Sequence, residues 1–112
     1  QYAALEALTG PQECVEEMNQ AFKKRATLMF TKLNEIKELN CQKPNGAFYC
    51  FPNISDTNKN SIEVQNLLLD KIGVATVAGT SFGKYGENYI RLSCANSNEA
   101  IEEAISRMKN IF

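Results

Sequence analysis

The segment Tyr89–Ala95, YIRLSCA, has the pattern of a short β-strand with an arginine at its centre. In a strand, successive side chains point to opposite faces, so its apolar residues share one face and Arg91 lies on the other. The apolar face, which carries Ile90, Leu92 and Cys94, is predicted to pack on the core. The opposite face is either exposed to solvent or part of a binding site, because arginine keeps its charge in any environment.

Turn residues and apolar periodicity place the remaining elements around this strand. Asn60 and Glu63 are spaced as a capping box, and Gly73 is suited to the left-handed position that ends a helix. The predicted elements are the end of a helix over Tyr2–Leu8, an amphipathic helix from Pro11 to near Asn40, a strand over Ala47–Phe51, a helix over Ser61–Ile72, a strand over Val74–Val77, and a last helix capped by Asn96 or Ser97. This order predicts an α+β fold, a two-layer sandwich of a small, mainly antiparallel sheet with helices on one face.

Composition narrows the class of protein. The chain has 112 residues, 44% of them hydrophobic and 22% charged, with 12 basic and 13 acidic side chains. We therefore expect one globular domain over residues 1–112, and no general attraction to nucleic acid. The apolar stretches are shorter than the roughly 20 residues that span a bilayer, so we expect no membrane partner and a cytoplasmic location.

The four cysteines do not follow a metal-binding or redox spacing. Cys14, Cys41, Cys50 and Cys94 form neither paired zinc knuckles nor a Cys-x-x-Cys motif, and the chain has no histidine. We expect four buried free thiols and no metal site.

Most other candidate sites have simpler interpretations. The segment Gly79–Lys84 lacks the spacing of a phosphate-binding loop and is followed by a strand, so it is predicted to be a turn between strands. The basic run Lys23–Arg25 is predicted to be the exposed face of a helix. Without histidine, no local spacing pairs a nucleophile with a base, so we expect no catalytic residue in this chain. Arg91 remains a candidate binding residue, because the paired N–H donors of its planar guanidinium match the two oxygens of a carboxylate.

Three motifs together resemble a known family. PNGAFY at Pro44–Tyr49, GVATVAGTSFG at Gly73–Gly83 and RLS at Arg91–Ser93 resemble the C-terminal small domain of class I aminotransferases, particularly the aspartate aminotransferase branch. These are pyridoxal-phosphate enzymes of fold type I. The resemblance implies that Arg91 binds the α-carboxylate of the amino-acid or 2-oxo-acid substrate. Ala78 stands where many relatives have proline, a difference expected to affect only the stiffness of the turn.

The resemblance also implies what this chain does not contain. The segment SFGKYGENYIR, which contains Lys84, is faintly similar to the segment that carries the cofactor lysine in the family. The motifs on either side of it, however, match the small domain. The Schiff-base lysine and the other residues that hold pyridoxal phosphate are therefore expected outside this chain, in a large domain to which residues 1–10 lead. The chain alone is expected to bind no cofactor and to be inactive, and the intact enzyme to be a homodimer. The alternative is a free-standing module that binds a carboxylate or a protein partner.

Overall fold

Four α-helices and three short β-strands make up the fold in the computed structural model, which describes all 112 residues. The helices are α1 Tyr2–Thr9, α2 Glu13–Leu33, α3 Ser61–Ile72 and α4 Asn98–Met108. The strands are β1 Tyr49–Cys50, β2 Val77–Ala78 and β3 Ile90–Ser93. Short 3-10 turns lie at Ser55–Thr57, Gly79–Phe82 and Lys84–Gly86.

The strand that carries Arg91 lies at the centre of the sheet. The order is β1-β3-β2, and both pairs are antiparallel, with Tyr49 opposite Ser93 and Val77 opposite Arg91. Alternation along β3 is confirmed, because Ile90 and Leu92 are buried while Arg91 is only half-buried. The predicted α+β class and antiparallel sheet are thus confirmed.

The core lies between the apolar face of the sheet and the helices. Helix α2 packs against β1 and α4, and α3 packs against β2, β3 and α4. The side chains that are less than 2% exposed include Leu33, Ile54, Val64, Leu68, Ile90, Ile105 and Met108. The helical stripes predicted from the sequence therefore supply the layer that covers the sheet.

Helix α2 ends earlier than its apolar pattern predicts. We expected it to continue to about Asn40, but it ends at Leu33, and the buried Ile36 lies in the following turns. The side-chain amide of Asn34 donates to the Cys41 carbonyl (2.9 Å) and its oxygen accepts from the Cys41 N–H (2.9 Å). An asparagine side chain that bonds to backbone beyond the helix in this way competes with helix continuation.

Helix α3 has the ends that the sequence predicts. The Glu63 N–H donates to Asn60 Oδ1 and the Asn60 N–H donates to Glu63 Oε2, both at 2.9 Å. At the other end Gly73 has φ +67°, and the N–H of Val74 donates to the Leu68 carbonyl at 3.0 Å. This cap uses the Val74 amide, which is therefore not available for strand pairing. The strand predicted over 74–77 is displaced, since β2 begins at Val77.

The remaining differences from the sequence prediction are local. Strand β1 has only two residues of the predicted Ala47–Phe51, and Ser97 rather than Asn96 caps α4 by accepting from the Ala100 N–H at 3.2 Å. The N–H of Ala78 donates to Gln65 Oε1 at 2.7 Å. A proline at this position could not make that bond, so alanine changes how the turn is held as well as its stiffness.

All four cysteines are free, but they are not all buried. Cys41, Cys50 and Cys94 lie in the core, and burial is the main factor that raises the pKa of Cys94. Cys14 is exposed, contrary to prediction, because residues 11–20 of α2 and its approach extend beyond the core and every one of them is exposed. None of the helices is both long enough and apolar enough to cross a membrane.

Candidate functional site

Arg91 projects from the central strand on the side opposite the core. Its guanidinium carbon lies 4.4 Å from the ring centroid of Tyr49 and 4.6 Å from that of Phe82. Tyr49 is opposite Ser93 in the sheet, so it is a diagonal neighbour of Arg91 on the same face. Phe82 reaches Arg91 from the other side of the central strand, because it follows β2.

A second layer of rings supports the first. Phe82 meets Phe51 edge-on, with ring centroids 6.2 Å apart and planes at 80°. Phe51 in turn stacks on Tyr89, with centroids 5.1 Å apart and planes at 8°. The site is thus one arginine between Tyr49 on one side and the linked rings of Phe82, Phe51 and Tyr89 on the other. We call these four side chains the aromatic array: Tyr49, Phe51, Phe82 and Tyr89.

The sequence prediction selected Arg91 but not the aromatic array. The sequence did contain an indication of part of it. Tyr49 and Phe51 are two positions apart in one predicted strand, and Tyr89 and Arg91 are two positions apart in another, so each pair is expected to share one face of its strand. Strand alternation could not predict the position of the Phe82 ring, because Phe82 lies in a 3-10 turn outside the strands.

Two glycines fix the turn that carries Phe82. The backbones of Gly79 and Gly86 are in direct contact, so that a Cβ atom on either residue would overlap the carbonyl group of the other. The N–H of Gly79 also donates to the Tyr89 carbonyl at 2.8 Å. Residues 79–86 therefore form a closed double turn between β2 and β3, in agreement with the predicted turn.

Helix α3 holds the same turn by polar contacts. The Ser61 hydroxyl is hydrogen-bonded to the Thr80 hydroxyl at 3.2 Å, and the Ser61 N–H donates to Glu87 Oε1 at 2.8 Å. Ser61 is fully buried, whereas Thr80 is half-buried and Glu87 is exposed, so these bonds are partly shielded from water.

The Arg91 guanidinium has no anionic partner within the chain. The three ion pairs are Lys32–Glu35, Glu103–Arg107 and Glu35–Lys109, and no hydrogen bond from Arg91 is formed. A surface salt bridge would give an arginine on this strand a purely structural role, and Arg91 forms none. The donors of Arg91 remain available to an external anion.

A cavity of about 730 Å³ adjoins the aromatic array. Its wall combines the aromatic residues Tyr49, Phe51, Tyr85 and Tyr89 with polar and charged ones that include Asn53, Lys43 and Asp56. Lys84 is exposed beside this region, and its ammonium lies 4.9 Å from the ring centroid of Tyr85. The surface next to the aromatic array is therefore concave, with both aromatic and polar side chains in its wall, and Arg91 itself does not line the cavity.

Comparison with known proteins identifies the family. The model of the family "Aminotransferase class I and II" matches residues 1–108. The chain belongs to this family. The resemblance inferred from the three sequence motifs is therefore confirmed.

This aminotransferase chain is similar to proteins named for different substrates. It is 44% identical to an aspartate aminotransferase of Pyrococcus abyssi and 42% identical to aromatic-amino-acid aminotransferase 2 of Thermococcus litoralis. Each match covers 100% of this chain and 29% of the relative. The aromatic aminotransferase structure from Pyrococcus horikoshii superposes with a TM-score of 0.94 at 43% identity, over 98% of this chain and 30% of that one. The chain thus spans less than a third of the length of these relatives.

Proposed function

We propose that this chain is the C-terminal domain of an aspartate aminotransferase-like enzyme, in which Arg91 binds the α-carboxylate of the substrate. The reaction would transfer an amino group between an amino acid and a 2-oxo acid. The observation that carries this proposal is the unpaired guanidinium of Arg91 on the central strand. The family match and the relatives named aspartate aminotransferase support it.

Arg91 is better suited to bind a carboxylate than a flexible lysine on the surface would be. A guanidinium offers two parallel N–H donors, which match the two oxygens of a carboxylate. Because β3 is hydrogen-bonded on both sides, the base of the side chain is fixed before substrate binds. Holding the carboxylate in one orientation also fixes the neighbouring amino group, and this lowers the entropic cost of reaction.

The cofactor is proposed to bind outside these 112 residues. Enzymes of this family generally depend on pyridoxal phosphate, which supplies an electron sink when bound. The Arg91 site offers one guanidinium and aromatic faces, whereas the ammonium of Lys84 lies against Tyr85. These residues fit the carboxylate of a substrate, and they do not form a site for an aldehyde and a phosphate. We therefore propose that the cofactor lysine lies in the large domain.

An apolar surface supports a large domain as the partner within the intact enzyme. Helix α1 has no buried residue in this chain, and Tyr2, Leu5 and Leu8 are among its exposed side chains. Val15 and Met18 on α2 are also exposed apolar side chains. A surface of this kind is typical of an interface. We propose that residues 1–10 lead in from the large domain, that this surface packs on it, and that the intact enzyme is a homodimer.

The decisive test is Arg91→Lys in the intact enzyme. Lysine keeps the charge but loses the fork, and truncating a desolvated charge pair costs about 2–5 kcal/mol, so we expect kcat/KM to fall by about 30-fold or more. Arg25→Lys is the matched control, because Arg25 also lies over an aromatic ring, that of Phe22 at 5.8 Å, on a different part of the chain. An unchanged kcat/KM in Arg91→Lys would remove Arg91 from substrate binding.

A second experiment tests the placement of the cofactor lysine. Pyridoxal phosphate added to the 112-residue chain, followed by borohydride, is expected to give no stable adduct at a specific lysine. A stoichiometric adduct at Lys84 would contradict the proposal. The free-standing carboxylate-binding module is less well supported, because the family match covers almost the whole chain while the chain covers only 29% of its relatives.

A further inference from the structure

We propose that Tyr49 and Phe82 are positioning residues for Arg91, whose rings hold the guanidinium in the orientation that receives a carboxylate. This inference rests on the proposed function of Arg91. Its basis is that two rings from different segments lie within 4.6 Å of one guanidinium carbon, on a face that has no ionic partner for it.

The two rings approach Arg91 from opposite sides of the central strand. Tyr49 is on β1 and Phe82 follows β2, and these strands flank β3. An arginine side chain has many rotamers, most of which are costly to restrict. Contacts from both sides exclude most of these rotamers, so the restriction is already in place before a ligand binds.

Each ring is itself held in place. Tyr49 lies in a hydrogen-bonded strand pair, and its ring also packs against Phe48, with centroids 4.5 Å apart. Phe82 is supported by Phe51 and by the closed turn over residues 79–86. The support for Arg91 therefore comes from regular backbone structure on one side and from a locked turn on the other.

Cation–π contact and carboxylate binding use different parts of the guanidinium. The rings attract the cation through its delocalised charge, whereas a carboxylate bonds to N–H groups at the edge of the guanidinium plane. The two interactions can therefore coexist. Loss of a ring is expected to weaken carboxylate binding by loosening Arg91, although the ring itself need not touch the carboxylate.

The test compares ring-removing and ring-keeping variants in the intact enzyme. Tyr49→Leu and Phe82→Leu remove a ring, while Tyr49→Phe and Phe82→Tyr keep it. The probe is succinate, a carboxylate without an amino group, whose dissociation constant is measured by titration together with KM and kcat. Each leucine variant is expected to raise the dissociation constant by about 2- to 30-fold, the range that corresponds to one cation–π contact. The ring-keeping variants are expected to bind succinate as the unmodified enzyme does.

A double-mutant cycle with Arg91→Ala separates this inference from the proposed function. If the rings act through Arg91, the leucine variants have no further effect on succinate binding once Arg91 is alanine. Persistence of the full effect in that background would show that the rings contact the ligand directly, and would overturn the inference. Unchanged succinate binding in Arg91→Ala alone would instead overturn the proposed function.

Folding defects are controlled by the choice of position. Phe82 is 53% exposed, so its replacement by leucine leaves no large internal cavity. The thermal midpoint of each variant is measured beside its affinity for succinate. If Phe82→Leu lowers the midpoint and leaves the dissociation constant unchanged, the role of Phe82 is structural and the inference is wrong for that ring.

Discussion

Replacing Gly79 by alanine is expected to destabilise the fold at the turn that carries Phe82. A Cβ atom on Gly79 would overlap the Gly86 carbonyl and lie 2.7 Å from the carbonyl oxygen of Tyr89. Both neighbours are backbone atoms, so the two segments must separate. Overpacking of this kind costs about 1–3 kcal/mol, and the Gly79–Tyr89 hydrogen bond contributes about 0.5–1.5 kcal/mol. We therefore expect the free energy of unfolding to fall by about 2–4 kcal/mol.

Urea unfolding of the 112-residue chain, followed by circular dichroism, measures this loss. With a slope of about 2 kcal/mol per M, the midpoint should fall by about 1–2 M. Gly46→Ala is the matched control, because no atom lies within 4 Å of the position of its Cβ and its φ is not positive. Alanine there is expected to be neutral or to stabilise by up to about 1 kcal/mol. If the two variants unfold within about 0.5 kcal/mol of each other, the close contact between Gly79 and Gly86 does not constrain the turn.

Three further predictions concern the stability of the same chain. Asn60→Ala removes the side-chain acceptor of the α3 capping box, and urea titration should show a loss of about 1 kcal/mol; an unchanged midpoint would exclude the cap as a source of stability. Met108→Ala leaves a cavity in the core, where Met108 is 0% exposed, and should cost about 2–5 kcal/mol, whereas Met18→Ala, at a 53% exposed position, should cost about 0.5 kcal/mol or less. The hydrogen bond from Lys109 lowers the pKa of Glu35 below its ordinary value of 4.5, so the contribution of this carboxylate is present above that pH and is lost as the pH falls through the lowered pKa. Midpoints measured from pH 7 to pH 3 should therefore fall less steeply in Glu35→Gln, and identical profiles would show that the pair adds nothing.

The elements that the sequence predicted correctly depend on neighbouring residues. The capping box of α3 joins Asn60 to Glu63, and the cap at Gly73 closes on residues of the preceding turn. Alternation in β3 likewise follows from a local backbone property. The prediction failed where a partner outside the helical repeat decides where the helix ends. Helix α2 ends early because Asn34 bonds to Cys41, although the apolar pattern continues to Ile36.

The cysteines show the same limit. Their free state followed from the sequence, and so did the burial of Cys41, Cys50 and Cys94. Cys14 was wrongly predicted to be buried, because an amphipathic pattern shows that a helix has an apolar face but does not show whether this chain covers it. Residues 11–20 are exposed in this chain, and we propose that the large domain covers their apolar side chains in the intact enzyme.

By itself, the sequence determined the α+β class, the family and the selection of Arg91 as the candidate binding residue. Periodicity, capping residues and short motifs each depend on residues that are close together in the chain. Only the tertiary structure decided the environment of Arg91. The order β1-β3-β2 brings Tyr49 and Phe82 to the two sides of this arginine and leaves every acidic side chain out of its reach. That arrangement depends on strand pairing between distant segments and on the contact between Gly79 and Gly86, which local sequence rules do not encode.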